Sequence, residues 1–116
     1  LRGGVIELGA GWVPALLRRL DLIAQIWKRS ESDLAALKTA PSELISRQMA
    51  FTPYPFEDVG AMIRESNPDL YLFSSDYPHI EGGRNPLGRF ETSLEGMSDE
   101  VQSKFYSQNM ATLLGS

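Results

Sequence analysis

The chain has 116 residues, of which 42% are apolar and 22% charged, a composition typical of one soluble globular domain at most. Its net charge of -4 argues against nucleic-acid binding, which requires a basic face, and gives no support for an anionic membrane surface as partner. No apolar run approaches the ~20 residues of a membrane-spanning helix, and the absence of cysteine excludes disulfides and thiolate metal ligands. We therefore expect a cytoplasmic protein.

The first third of the chain predicts a strand followed by a long helix. Gly4–Leu8 is short and apolar and ends in a glycine turn, which indicates a buried strand. Apolar residues recur at helical spacing over Trp12–Arg29, with Pro14 suited to the first turn. Trp12 and Trp27 fall on this pattern, so we expect both in the core.

The middle of the chain predicts two short helical segments and a second strand. Ser30–Lys38 favours a short helical turn and loop, and Pro41 opens another short helix or turn. Gln48–Thr52 alternates apolar and polar residues and is stopped by prolines, as a strand would be.

The last part predicts a helix, a strand and two further helices. Phe56–Glu65 has one apolar side, and Leu70–Ser74 is apolar enough for a parallel strand that is covered on both faces. A loop over Asp76–Pro86 leads to a weak helix at Leu87–Leu94. The final helix is predicted over Asp99–Leu114, capped before it by serine and followed by glycine.

Alternating strands and helices predict an α/β fold with parallel strands joined by right-handed crossovers. The order is compatible with part of an open doubly wound sheet and equally with part of a closed barrel. Periodicity alone does not choose between them.

Two carboxylates stand at strand ends. Glu7 ends the first predicted strand and Asp76 follows the third, and parallel α/β folds bind ligands at the carboxyl ends of their strands. With one strand between them, the two would project into one rim, about 10 Å apart at ~4.8 Å per strand pair. The structural alternatives are a carboxylate held by an arginine or helix terminus for Glu7, and a cap or turn residue for Asp76.

Two further side chains are candidates for substrate binding. His79 is the only histidine, and it is either a solvated loop residue or a group that carries protons near neutral pH. Arg47 begins the middle predicted strand, where it would bind a carboxylate in bidentate fashion or form a salt bridge with a neighbouring acid.

The stretch Ser75–His79, Ser-Asp-Tyr-Pro-His, resembles the amidohydrolase-related family, which includes enzymes similar to aminocarboxymuconate-semialdehyde decarboxylase. Other stretches agree with that family in order and spacing: Glu7–Pro14 with Leu17–Asp21, Pro41–Gln48, and Asn109–Ala111. The resemblance covers nearly the whole chain. It implies a (β/α)8 TIM barrel, of which residues 1–116 would form a single partial domain with strands 6 to 8.

The resemblance also implies a metal-dependent enzyme acting on a small carboxylated or cyclic substrate, by hydrolysis of a carbon–nitrogen bond or by non-oxidative decarboxylation. Asp76 matches the family's last-strand aspartate, which would ligate a divalent metal, often zinc, or accept a proton from water. Glu7 would be a second ligand, although many members of the family have histidine at that place. The family's other histidine ligands would precede Leu1, so the chain alone is expected to be inactive and without metal.

The alternative function is a non-enzymatic α/β interaction module whose strand-end acids are structural. A small flavodoxin-like domain that binds an anion is disfavoured by the acidic balance and by the lack of a glycine fingerprint. Because three strands cannot close a barrel, we expect open sheet edges and a chain that self-associates as a homo-oligomer.

Overall fold

The computed structural model describes all 116 residues, from Leu1 to Ser116. It contains two strands and seven α-helices, with single-turn 3₁₀ segments at Pro68–Leu70 and Ile80–Gly82. The strands are β1 (Gly3–Val5) and β2 (Met49–Phe51); the helices are α1 (Val13–Trp27), α2 (Ser32–Ala36), α3 (Pro41–Gln48), α4 (Val59–Glu65), α5 (Pro86–Ser93), α6 (Asp99–Ser103) and α7 (Asn109–Leu114).

The predicted parallel order of the strands is confirmed. β1 pairs in parallel with β2, with Val5 opposite Phe51, and a further parallel bridge joins Phe51 to Tyr71. The Thr52 N–H donates to the Val5 carbonyl, whereas the Leu72 N–H donates to the Phe51 carbonyl. Neighbouring residues of a strand direct their backbone groups to opposite edges, so β2 lies between β1 and the segment around Tyr71.

The prediction of a full third strand at Leu70–Ser74 is wrong, since only Tyr71 forms a bridge. The final helix, which comprises α6, the turn Lys104–Gln108 and α7, satisfies the outer edge of Leu70–Ser74, the third segment, instead. The Phe73 N–H donates to the Phe105 carbonyl at 3.0 Å, and the Asn109 side-chain amide donates to the Tyr71 carbonyl at 2.9 Å. The expectation of an open edge on this side is therefore also wrong, because helix backbone and side chain replace the missing strand.

The final helix is continuous, but its middle turn, Lys104–Gln108, is a π-turn. The Asn109 N–H donates to the Lys104 carbonyl, one residue further back than in an α-helix. The wide turn coincides with Phe105, whose carbonyl bonds to the third segment. The predicted caps are confirmed: the Ser98 hydroxyl accepts from the Val101 N–H, and Gly115 is left-handed.

The core lies between the strands and the helices α4, α5 and the final helix. Phe51, Tyr71, Phe90 and Phe105 are each 3% exposed or less, and the rings of Phe90 and Phe105 meet edge to face with centroids 5.0 Å apart. None of the helices is both long and apolar enough to cross a bilayer.

The second half of α1 departs from the prediction. Trp27 is 52% exposed and Leu22 and Ile26 are also exposed, so the apolar stripe is buried only near Val13 and Leu17. Trp12, at 41% exposure, is likewise not a core residue, although its ring meets Phe51 edge to face. The amphipathic pattern thus predicted the helix correctly, but it did not predict that the second half of its apolar face is exposed.

Burial raises the pKa of the Tyr71 phenol above its ordinary value of 10.0, and also that of Tyr106. The unfolded chain would lose these protons first, so the folded state binds more protons above about pH 10. We expect the contribution of these two phenols to the free energy of unfolding to be constant below about pH 9 and to fall as the pH rises through the raised pKa values. Urea titrations at a series of pH values test this dependence, and Tyr71→Phe should make the free energy of unfolding fall less steeply with pH. A free energy of unfolding that does not fall between about pH 10 and pH 12 would contradict this assignment.

Candidate functional site

A cavity of about 270 Å³ lies where the chain leaves β1, β2 and the third segment. Glu7 follows β1, Thr52 and Tyr54 follow β2, and Asp76 and His79 follow the third segment. Because the strands are parallel, their carboxyl ends meet at one edge of the sheet. The complete lining comprises Ile6, Glu7, Thr52, Pro53, Tyr54, Phe73, Ser74, Ser75, Asp76, Tyr77, His79 and Met110.

The two predicted acids, Glu7 and Asp76, therefore border the same cavity. Both adopt a left-handed backbone, with φ of 61° at Glu7 and 57° at Asp76, and no other non-glycine residue of the chain has a positive φ. This conformation costs a non-glycine residue about 1–2 kcal/mol. Backbone strain of this kind concentrates at functional sites, where the surrounding structure must hold it in place.

The carboxylate of Asp76 is 12% exposed, and its nearest basic group is His79, whose Nδ1 lies 3.6 Å from Oδ1. That separation is too long for a hydrogen bond. No protein group donates a hydrogen bond to the carboxylate of either Asp76 or Glu7, whereas the fold uses Glu57, Asp58 and Asp21 as acceptors. The fold therefore leaves both cavity acids free to bind a ligand.

Tyr54 lines the same cavity as the two acids. Its hydroxyl donates to the Glu7 carbonyl at 2.8 Å. Desolvation raises the pKa of the Tyr54 phenol, and the negative charges of Asp76, Glu81, Glu7 and Glu57 raise it further. The phenol thus stays protonated and remains a donor to the left-handed residue at the end of β1.

Glu57, which no sequence pattern singled out, is a half-buried carboxylate that contacts two strand-end loops. Its oxygens accept hydrogen bonds from the backbone N–H groups of Ala10, Gly11 and Tyr54, at 3.0, 2.9 and 2.8 Å. The only local signal was its place just before the cap of α4. Two of its three partners lie 46 and 47 residues away in the chain, which no local pattern reveals.

Arg47 does not join the site. It lies in the last turn of α3, before β2 and not within it, and its guanidinium pairs with Glu43 one turn earlier. Its position at the amino end of β2 is opposite to the cavity. Arg47 therefore forms the salt bridge with a neighbouring acid that was the alternative prediction, and it does not contact a substrate in the cavity.

The residues present do not form a complete metal site. No group of three or more His, Asp or Glu side chains lies close enough together to hold an ion. Asp76 and His79 form a pair, and Glu7 is the one other carboxylate that lines the cavity. Zinc sites usually take four ligands, at least three of them from protein.

Close packing of Gly82 holds the Asp76 loop. Gly82 is buried, and a Cβ there would collide with the Ser75 carbonyl, whereas one at Gly83 would meet only Arg89 Nε, at 3.9 Å. The pair is thus not merely a flexible loop. We expect Gly82→Ala to shift the amide resonances of Asp76 and to cost about 1–3 kcal/mol of stability.

Gly83→Ala is the matched control for this substitution. Gly83 has a φ of 66°, so alanine there would strain the backbone without displacing Ser75. Amide spectra in which Gly83→Ala perturbs Asp76 as strongly as Gly82→Ala would refute the packing role.

No protein-family model and no curated protein matches the chain. Among solved structures, the chain is similar to the crystal structure of the amidohydrolase map2389c from Mycobacterium avium subsp. paratuberculosis K-10. The two share 30% identity with a TM-score of 0.78 over 99% of this chain. The chain spans 28% of the length of that protein. The likeness supports the broader amidohydrolase resemblance; it does not reach the decarboxylase-like branch.

Proposed function

We propose that this chain is part of an amidohydrolase-superfamily enzyme and forms one side of its active site. One observation carries the proposal. Two carboxylates at strand ends, those of Glu7 and Asp76, line one cavity, and both residues have a strained, left-handed backbone. Neither carboxylate accepts a hydrogen bond from the protein. Carboxylates with a structural role accept hydrogen bonds from backbone or side-chain donors, as those of Glu57 and Asp58 do here. This contrast disfavours the non-enzymatic interaction module.

The position proposed for the chain is that of strands 6 to 8 of a (β/α)8 barrel. The parallel order supports it, as does the solved amidohydrolase, which is several times longer. The surface also supports it: Ile6 and Leu8 beside β1 and Ile26 on α1 are more than half exposed. A preceding strand and helix would cover these groups. In isolation the same surface would favour association of copies of the chain.

Asp76 is proposed as the catalytic carboxylate. It accepts a proton from the water that attacks the carbon of a carbon–nitrogen bond in a small substrate, and it returns that proton to the nitrogen as the bond breaks. Glu7 would supply a second oxygen donor across the cavity, and His79, 59% exposed at the rim, would contact the substrate. Together with residues from the rest of the enzyme, Asp76 and Glu7 would ligate a divalent metal. Such an ion supplies Lewis acidity and lowers the pKa of water.

Hydrolysis is favoured over decarboxylation by the side chains that line the cavity. None of them is lysine or arginine, so this chain offers no cationic side chain to bind a substrate carboxylate. The proposed substrate is therefore a neutral small molecule with a carbon–nitrogen bond, such as a linear or cyclic amide.

The test uses the longest protein that contains this chain. Purified enzyme is assayed on matched panels of amides, cyclic amides and aromatic carboxylic acids, with and without a metal chelator. We expect hydrolysis of members of the first two panels and loss of turnover on chelation. Release of carbon dioxide from the acids would instead support the decarboxylase, and a folded, metal-free protein without turnover would refute the enzyme.

A further inference from the structure

The carboxylate of Glu57 joins the loop after β1 to the loop after β2. It accepts from the N–H groups of Ala10 and Gly11 on the first loop and from that of Tyr54 on the second. A charged acceptor that serves three backbone donors is a strong, directional contact. Each of the two loops carries a residue of the cavity, Glu7 on one and Tyr54 on the other.

The geometry around Glu57 leaves little free space. A Cβ added at Gly9 would lie 2.9 Å from Glu57 Oε1 and 3.0 Å from the Tyr54 ring, and Gly9 itself is left-handed, with a φ of 64°. Only glycine fits there, so the first loop can approach the carboxylate closely. The Tyr54 hydroxyl then donates to the Glu7 carbonyl at 2.8 Å. Tyr54 therefore connects the Glu57 carboxylate, to which its N–H donates, with the backbone of Glu7.

We propose that Glu57 is a positioning residue that holds the Glu7 side chain in the cavity opposite Asp76. The left-handed backbone of Glu7 would relax to a more favourable conformation unless its neighbours prevented it. Glu57 prevents it from two directions, through the Ala10 and Gly11 amides that follow Glu7 and through Tyr54, which holds the Glu7 carbonyl. The role rests on the proposed function, in which Glu7 faces Asp76 across one site.

The neighbouring acid provides a matched control. Asp58 is one residue away, and its carboxylate accepts from the Ala61 N–H and the Ser93 hydroxyl, both at 2.9 Å. Asp58 caps α4, and its carboxylate accepts no hydrogen bond from Ala10, Gly11 or Tyr54. Glu57→Gln and Asp58→Asn thus remove the same charge and comparable hydrogen bonds, but only the first should change the position of Glu7.

The experiment places a nitroxide label at Glu7→Cys, which is unique because the chain has no cysteine. The broadening of the Asp76 amide resonance by this label reports the distance from position 7 to Asp76. We expect Glu57→Gln to reduce that broadening at least severalfold and to speed amide exchange at Ala10 and Gly11 about tenfold or more. In Asp58→Asn, exchange should speed only at the start of α4, with the broadening at Asp76 unchanged.

A second variant guards against simple unfolding. Gly9→Ala keeps the charge of Glu57 but forces the first loop away from it, and it should reduce the broadening at Asp76 in the same way. Equal broadening in the Glu57→Gln, Gly9→Ala and Asp58→Asn backgrounds would overturn the positioning role. Absence of broadening at Asp76 with native Glu57 would instead show that Glu7 and Asp76 do not share a site. Amide exchange at Ala10 and Gly11 would still report whether Glu57 joins the two loops.

Discussion

Replacing Asp76 by asparagine in the enzyme that contains this chain should lower kcat by about 10²- to 10⁴-fold, the usual contribution of a general acid–base group. Asparagine has nearly the shape of aspartate and tolerates the left-handed backbone at this position. The carboxylate accepts no hydrogen bond from the protein, so the fold should not change. The measurement is kcat with the most active amide substrate, alongside the urea midpoint.

Glu81→Gln is the matched control, since Glu81 is an exposed acid of the same loop and does not line the cavity. It removes the same charge and should leave kcat within about twofold, because exposed charges at a distance are screened by salt. A loss of turnover that is equal in the two variants would show that Asp76 acts only through the overall charge of the loop.

Replacing Asn109 by leucine should lower the free energy of unfolding by about 3 kcal/mol. Asn109 is 9% exposed, and its amide donates to the carbonyls of Pro68 and Tyr71 at 2.8 and 2.9 Å. Leucine would leave both carbonyls without a partner in a largely dry environment, where each unsatisfied acceptor costs about 1–3 kcal/mol. It would also weaken the attachment of the final helix to the third segment, which would keep the bond from the Phe73 N–H to the Phe105 carbonyl.

The urea midpoint is the readout, because a fall at constant m-value isolates stability from compactness. Gln108→Leu is the control: Gln108 is exposed on the same helix, and its amide bonds only to the Ser103 hydroxyl. Its cost should be within about 0.5 kcal/mol. Similar midpoints for the two variants would contradict the role assigned to Asn109.

The helices and the parallel order were predictable because their signals are local. Periodic apolar residues marked α1, a proline marked the start of α3, and Ser98 marked the last helix. The cavity acids were predictable for a related reason. Once the strands are known to be parallel, the residues that follow them must share an edge, as Glu7 and Asp76 do.

The remaining features depend on contacts between distant parts of the chain. Leu70–Ser74 has the composition of a strand, but its outer edge is satisfied by Phe105 and Asn109, more than thirty residues later. Trp27 has helical periodicity, yet about half of its surface stays exposed, at 52%. Glu57 is indistinguishable from any other acid near a helix start until the loop after β1 folds against it.

The pocket itself is tested most directly by a nitroxide at Glu7→Cys in the otherwise unchanged chain. If the ends of β1 and of the third segment face each other, the label will strongly broaden the amide resonances of Asp76 and His79. Those of α2, beyond the far end of the ~22 Å long α1, will stay sharper. Sharp Asp76 and His79 resonances beside broadened α2 resonances would show that the two acids do not share a site.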